Sequence, residues 1–237
     1  MTDDGRLVPA DDPAVLAATS AVQAGDLAAV DELLTQHPWL VAVQFGDAQA
    51  HRSLLHAATD WPGHFPNGPD VVRRLIAAGA DPNVHCRFDA HTETPLHWAA
   101  SSNDVAVIDA LLEAGADIAA PGAVLGGGTA LTDACGFGNW AAARRLVERG
   151  SPVTLTDAAA LGLLDRLEEA LAAGPPAEHV THALWSACAG GQLGAVEVLV
   201  AAGADVDWVG WDDLTPLQAA ERAGADDVVA WLRGRAG

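Results

Sequence analysis

Thr94-Pro95-Leu96-His97-Trp98-Ala99-Ala100 is followed by an apolar-periodic stretch over residues 105–112 and then by Gly115-Ala116-Asp117. This reads as two helices and a turn. Thr94 suits an N-cap, because its hydroxyl can accept from an otherwise orphan amide. Pro95 at the first helical position lacks only an amide that no helix uses, and its φ is already set. Gly115 falls just past the second helix, where the chain needs the left-handed conformation that glycine adopts cheaply. The frame recurs at Ser53-Leu54-Leu55-His56-Ala57-Ala58, closed by Gly79-Ala80-Asp81, and at Thr129-Ala130-Leu131-Thr132-Asp133-Ala134, closed by Gly150. It recurs again at His182-Ala183-Leu184-Trp185-Ser186-Ala187, closed by Gly203-Ala204-Asp205, and at Thr215-Pro216-Leu217-Gln218-Ala219-Ala220. One such helix pair cannot bury its apolar face alone, but stacked pairs share a continuous core.

These segments resemble the ankyrin repeat, whose signature is T-P-L-H-x-A followed by a second helix and a G-A-D turn. The resemblance covers nearly the whole chain, with motif, turn and spacing recurring together. Two weaker units complete it: residues 14–34, a capping repeat with Gly25 at its turn, and residues 155–173, a degenerate fifth repeat with Gly162 at its turn. The expectation is an all-α solenoid of about seven helix-turn-helix units with hairpin fingers, repeat five being truncated. Within one domain spanning 1–237, the expected boundaries are a tail at 1–12, a capping repeat at 13–47, and repeats at 48–88, 89–123, 124–153, 154–177, 178–209 and 210–237. The chain as a whole resembles the stand-alone ankyrin proteins of bacteria. That resemblance implies a fold and a habit of binding partners on the concave face, not a specific activity.

Composition narrows the function. Half of the 237 residues are hydrophobic, while Tyr is absent and Phe scarce, a mix that suits closely packed helices more than strands. The formal charge of -20 repels phosphate backbones and anionic membranes, so nucleic acid and membrane partners are not expected. No apolar run reaches the ~18 residues of a membrane span, and the acidic start Met1-Thr2-Asp3-Asp4 is unlike a signal peptide, which points to the cytoplasm. Cys86, Cys135 and Cys188 have no spacing that suggests disulfides or zinc, and no metal or cofactor is expected.

The pattern breaks where function should lie. Repeat two carries an insertion, Asp60-Trp61-Pro62-Gly63-His64-Phe65-Pro66-Asn67-Gly68, which reads as a shaped loop. The glycine-rich stretch Pro121-Gly122-Ala123-Val124-Leu125-Gly126-Gly127-Gly128 lacks the strand and the Lys-Ser/Thr pair of a phosphate cradle, and reads as a finger whose backbone passes close to something. The ankyrin frame implies that Asp60, Trp61, His64, Phe65, His91, Glu93, Trp98, Ser101, Asp133, Phe137, Trp185, Trp208 and Trp211 line the concave face. Asp133 is the sharpest anomaly, because its position usually carries an apolar residue. The motif residues His56 and His97 are expected to hold the turns between repeats.

Two functions fit this set. One is a non-enzymatic module that binds a protein or peptide, basic in character, through an acidic, Trp-lined groove. The other is a small-molecule binder or acid–base enzyme with its site in repeats two to four, where Asp60, His64, His91, Glu93 and Asp133 are the candidate proton-transfer groups. The second requires a closed, ligand-sized pocket beneath the inserted loop.

Overall fold

The computed structural model describes residues 7–88 and 91–235. The acidic start of the chain and residues 1–6 of the expected tail lie outside the described residues. Packing divides the chain into two compact units, Met1–Ser151 and Pro152–Gly237.

In the first unit four helix pairs follow one another: α1 (Pro13–Ala24) and α2 (Leu27–Gln36), α3 (Leu54–Thr59) and α4 (Gly68–Ala77), α5 (Pro95–Ser101) and α6 (Val105–Glu113), α7 (Ala130–Gly136) and α8 (Trp140–Glu148). The first helices pack in the row α1, α3, α5, α7, and the second helices in the row α2, α4, α6, α8. Four short strands, β1 (Leu7–Val8), β2 (Gln44–Gly46), β3 (Ala50–Arg52) and β4 (Arg87–Phe88), form a ribbon in that order. β2 and β3 are the antiparallel arms of one finger, and β4 belongs to the next.

Local chemistry explains the repetition. The carboxylates of Asp12, Asp26 and Asp104 cap α1, α2 and α6 by accepting from backbone amides at 2.8, 3.1 and 3.2 Å. Asp81 and Asp117, the aspartates of the G-A-D turns, each accept from the amide two residues on, at 2.8 and 2.9 Å, which starts the finger. The glycine ahead of that aspartate has φ of 103° at Gly79 and 90° at Gly115. The inserted loop is pinned along its length. Asp60 Oδ2 pairs with Arg52 at 2.5 Å, the His64 amide donates to Asp104 Oδ2 at 2.9 Å, and Asn67 Nδ2 donates to the Gly25 carbonyl at 3.0 Å.

The second unit holds α9 (Leu155–Leu161), α10 (Leu164–Ala172), α11 (Ala177–Ala189), α12 (Leu193–Ala201), α13 (Pro216–Ala223) and α14 (Asp226–Arg235). The described residues therefore contain fourteen α-helices in seven consecutive pairs, so the chain is mostly helical, with strand limited to the fingers and the short β1 ahead of α1. The core of this unit runs through Leu167, Leu184, Val196, Leu199 and Val228. One element departs from the sequence expectation. α11 has 13 residues and begins at Ala177, five residues before its motif at His182. Only residues 173–176 separate it from α10, so this pair lacks a finger, as the truncated pair before it does. Pro176 at the N-cap, with ψ of 144°, turns the chain straight into the helix.

Leu96 sits at the centre of the first unit with 1% of its surface exposed. Leu96→Ala should cost about 2–5 kcal/mol, read as a lower urea midpoint. An unchanged midpoint would show that the packing register of α5 is not the one described.

Candidate functional site

The site rests on a hydrogen bond that joins successive helix pairs. His56 Nδ1 accepts from the Ser53 amide at 3.3 Å, and His97 Nδ1 accepts from the Thr94 amide at 3.2 Å. Each ring must then carry its proton on Nε2, which reaches the carbonyl just ahead of the next first helix: Glu93 at 3.1 Å for His56, and Gly128 at 3.4 Å for His97. Burial disfavours the charged rings, pushing His56 down to about 3 and His97 down to about 4. In the second unit Trp185 takes this part. Its indole Nε1 donates to the Leu214 carbonyl at 2.9 Å, again just before a capping residue, Thr215. Trp185 is 7% exposed, so its N–H is committed inside the fold and is not displayed to a partner.

Anchoring the Glu93 carbonyl also aims the Glu93 side chain. Its Oε2 accepts from Trp98 Nε1 at 3.3 Å. Beside it lies Asp133 on α7, which is 0% exposed. Asp133 Oδ1 accepts from the Leu125 amide at 3.3 Å, while Oδ2 meets no N–H or O–H donor of the described residues. Asp133 and Glu93 lie within hydrogen-bond reach of each other, a contact that is favourable only while one of the two carboxyls carries a proton. Burial, then the neighbouring Glu93 charge, pushes Asp133 up to about 8, and burial raises Glu93 as well. The roof over Asp133 is the glycine-rich finger. A Cβ on Gly136 would lie 1.9 Å from Leu125 Cδ1, so Leu125 rests directly on the glycine face of α7. Trp98 packs between Phe88, at 5.7 Å, and His56, at 5.0 Å, and Arg52 lies 5.8 Å from both the Phe45 and Trp98 rings.

The structure thus brings together Glu93, Trp98 and Asp133. His91 is half-buried, its backbone bridged to Phe88, and its charge acts favourably on Glu93. The other residues stand apart. Asp60 is engaged by Arg52 and by the Trp61 amide. His64 is exposed, Phe65 is half-buried, and Trp61, at the start of the pinned loop, is 81% exposed. Phe137 ends α7 and is 52% exposed, while Ser101 keeps its hydroxyl buried on α5. Trp208 and Trp211 belong to the second unit. Cys86 is also buried near Glu93, and burial pushes its thiol up to about 11, which makes it a poor nucleophile. Cys86, Cys135 and Cys188 form no disulfide.

Sequence reasoning missed Arg52, the cation seated between two rings. It also missed a cleft of about 590 Å³ lined by Leu16, Thr19, Gln23, Phe45, Arg52 and Phe88 among others. Leu16, 56% exposed on the open face of α1, was the readable signal. None of the five proton-transfer candidates lines this cleft.

Residues 55–157 match the model of ankyrin repeats in three copies. This is an ankyrin-repeat protein. Ankyrin repeats are in general protein-interaction modules. The protein is 33% identical over 178 residues to an ankyrin repeat and KH domain-containing protein of Caenorhabditis briggsae, an alignment covering 69% of this chain and 6% of the relative. It is also 33% identical over 128 residues to the palmitoyltransferase AKR1 of Lachancea kluyveri, covering 54% of this chain and 15% of the relative. The chain therefore spans a small part of these relatives. Among its described residues no helix is long and apolar enough to cross a membrane.

Two expectations follow for this ankyrin-repeat protein. Asp133, with its folded pKa raised to about 8 from an ordinary 3.8, keeps a proton that the unfolded chain releases. Its contribution to stability is therefore complete below about pH 4 and lost as pH rises through about 8. Asn at this position can still accept from Leu125 and can donate to Glu93. The Tm of Asp133→Asn should thus match or exceed the parent, with the gap widening as pH rises from 5 to 9. His56 and His97, lowered in the fold, weaken both proteins alike as pH falls below about 6.5 and cancel in the difference. A gap independent of pH would refute the proton on this pair. Separately, Trp185→Phe should cost about 0.5–1.5 kcal/mol by removing one of the two hydrogen bonds to the Leu214 carbonyl, the other coming from the Gly210 amide, and Trp185→His should recover part of that loss. Equal stability of the Phe and His variants would remove the indole hydrogen bond from this account.

Proposed function

We propose that this protein is a non-enzymatic scaffold whose first unit binds a protein or peptide segment carrying basic residues. The binding face consists of the first helices and the fingers, the concave side in the ankyrin frame, with the seven helix pairs counted as seven repeats. The observation that carries this reading is Trp61. Its side chain is 81% exposed, yet its loop is held by Arg52, Asp104 and Gly25. A large ring presented on a pinned loop loses little freedom on binding, which is how an aromatic anchor concentrates affinity. Phe137 ends another first helix of the same row with 52% exposure and supplies a second apolar contact. The net charge of -20 favours a basic segment through long-range attraction. The cleft beside α1 has room for one apolar side chain of that segment. A cytoplasmic setting agrees with the absence of disulfides.

One observation supports a second reading, a small-molecule or proton-transfer site. Glu93 and Asp133 lie side by side, and burial raises both, the direction a general acid requires. Asp133 is sealed from solvent, however, and the cleft lies beside other residues. We therefore rank it second.

Selection of peptides from a random displayed library tests the first reading. The expected winners are rich in Arg and Lys, and Trp61→Ala should weaken them about thirtyfold, equivalent to ~2 kcal/mol at an aromatic anchor, with Tm unchanged. Winners without basic residues, or indifferent to Trp61→Ala, would overturn it.

A further inference from the structure

The second unit carries a ring cluster that the first unit's binding face does not use. Trp208 and Trp211 stand nearly perpendicular, at 85° with centroids 5.6 Å apart. The His182 imidazole sits against both, 4.7 Å from Trp208 and 5.5 Å from Trp211. Trp185 closes the base, 5.0 Å from Trp211 at 77°. These rings are fixed. Trp185 is tethered through its indole N–H to Leu214, and the Gly210 amide donates to the same carbonyl at 2.9 Å, which closes the finger. The Trp208 ring folds over Gly210, where a Cβ would lie 2.2 Å from the indole. Trp211 remains 43% exposed and Trp208 half-buried, so solvent reaches the indole walls.

The charges around the cluster identify what it suits. Arg222 lies 5.8 Å from the Trp185 ring centroid and pairs with Asp212 at 2.6 Å. The protein already seats one of its own cations on this aromatic surface, with a carboxylate as counter-ion. Asp207 and Asp213 on the same finger are exposed and add negative charge. The two residues after Trp211, Asp212 and Asp213, both take left-handed φ, 57° and 56°, which side chains other than glycine adopt at a cost.

We propose that this cluster is a binding site for a methylated ammonium group. Indole faces attract positive charge through their quadrupole but offer no hydrogen-bond acceptor. A primary ammonium would exchange strong hydration for little in return. A methylated ammonium spreads its charge over methyl groups, gives up its water readily, and keeps both the cation–π and the carboxylate attraction. A cation that reaches the exposed parts of Trp211 and Trp208 comes within the ~6 Å of a ring centroid over which that attraction acts. The site lies wholly in the second unit, so it stands or falls independently of peptide binding by the first.

The test follows the indole N–H resonances of Trp208 and Trp211 in the full chain during titration with choline and with 3,3-dimethyl-1-butanol, its neutral isostere. Choline should shift them saturably in the millimolar range, and the isostere should bind at least about tenfold more weakly, as loss of cation–π attraction implies. Trp211→Leu and Trp208→Leu keep apolar bulk without a π face, and each folded variant should lose about tenfold or more for choline. Equal binding of choline and its isostere would reduce the cluster to an apolar patch and overturn the proposal. So would unsaturable shifts, or full choline binding by both variants. A further titration with a peptide containing trimethyllysine separates the sources: tighter binding than choline assigns the group to a protein side chain, and weaker binding to a free small molecule.

Discussion

Three carbonyls at the ends of fingers accept a hydrogen bond from a ring of the preceding helix pair, beside the backbone amide that each accepts within its own finger, and much of the structure around them follows from that second bond. The carbonyls of Glu93, Gly128 and Leu214 each stand one residue ahead of a capping residue, and each receives a proton from a ring on the preceding first helix. A histidine meets the need only when it is neutral and its other nitrogen is occupied, so the capping residues Ser53 and Thr94 select the tautomer. Tryptophan meets it without any such condition, because its one nitrogen is always a donor. Trp185 therefore replaces the motif histidine without loss of the bond. Because it is wider, its ring also extends to Trp211 and makes the base of an aromatic cluster.

The same constraint places polarity in the floor of the first unit. Once the Glu93 carbonyl is held by His56, its carboxyl has little choice but to lie beside Trp98 and Asp133. With Asp133 fully buried, two carboxylate charges side by side cost more than one. The glycines of α7 and its finger are what allow the closure, since a side chain at Gly136 would occupy the position of Leu125. Arg52 meets a related need on the other side of Trp98, offsetting Asp60 while its planar group spans two rings. The exposed Trp61 differs from all of these. It supports no other residue, and it stays outside because its loop is short of slack.

Capping residues, prolines at first helical positions and glycines past second helices made the helix pairs legible, since each is a local backbone demand met by a local residue. The register of Asp133 was legible for the same reason: it stands at a repeat position where the neighbours carry Ala57 and Trp98. The early start of α11 was not legible, because Pro176 can begin a helix or end a finger with equal ease, and only the missing finger decides between them. Arg52 and the cleft beside α1 were also hidden, since their neighbours Phe45, Phe88 and Trp98 come from three different elements.

What the sequence determined by itself is therefore the periodic architecture and the short list of residues that break it. Which of those residues meet was decided by tertiary structure. Glu93 and Asp133, forty positions apart, share a buried site because adjacent first helices lie side by side and a finger closes over them. Trp61, two residues beyond a buried helix, remains in solvent because its loop is tied down elsewhere. Burial and pairing depend on what the rest of the fold brings up against a side chain, and no local pattern encodes that.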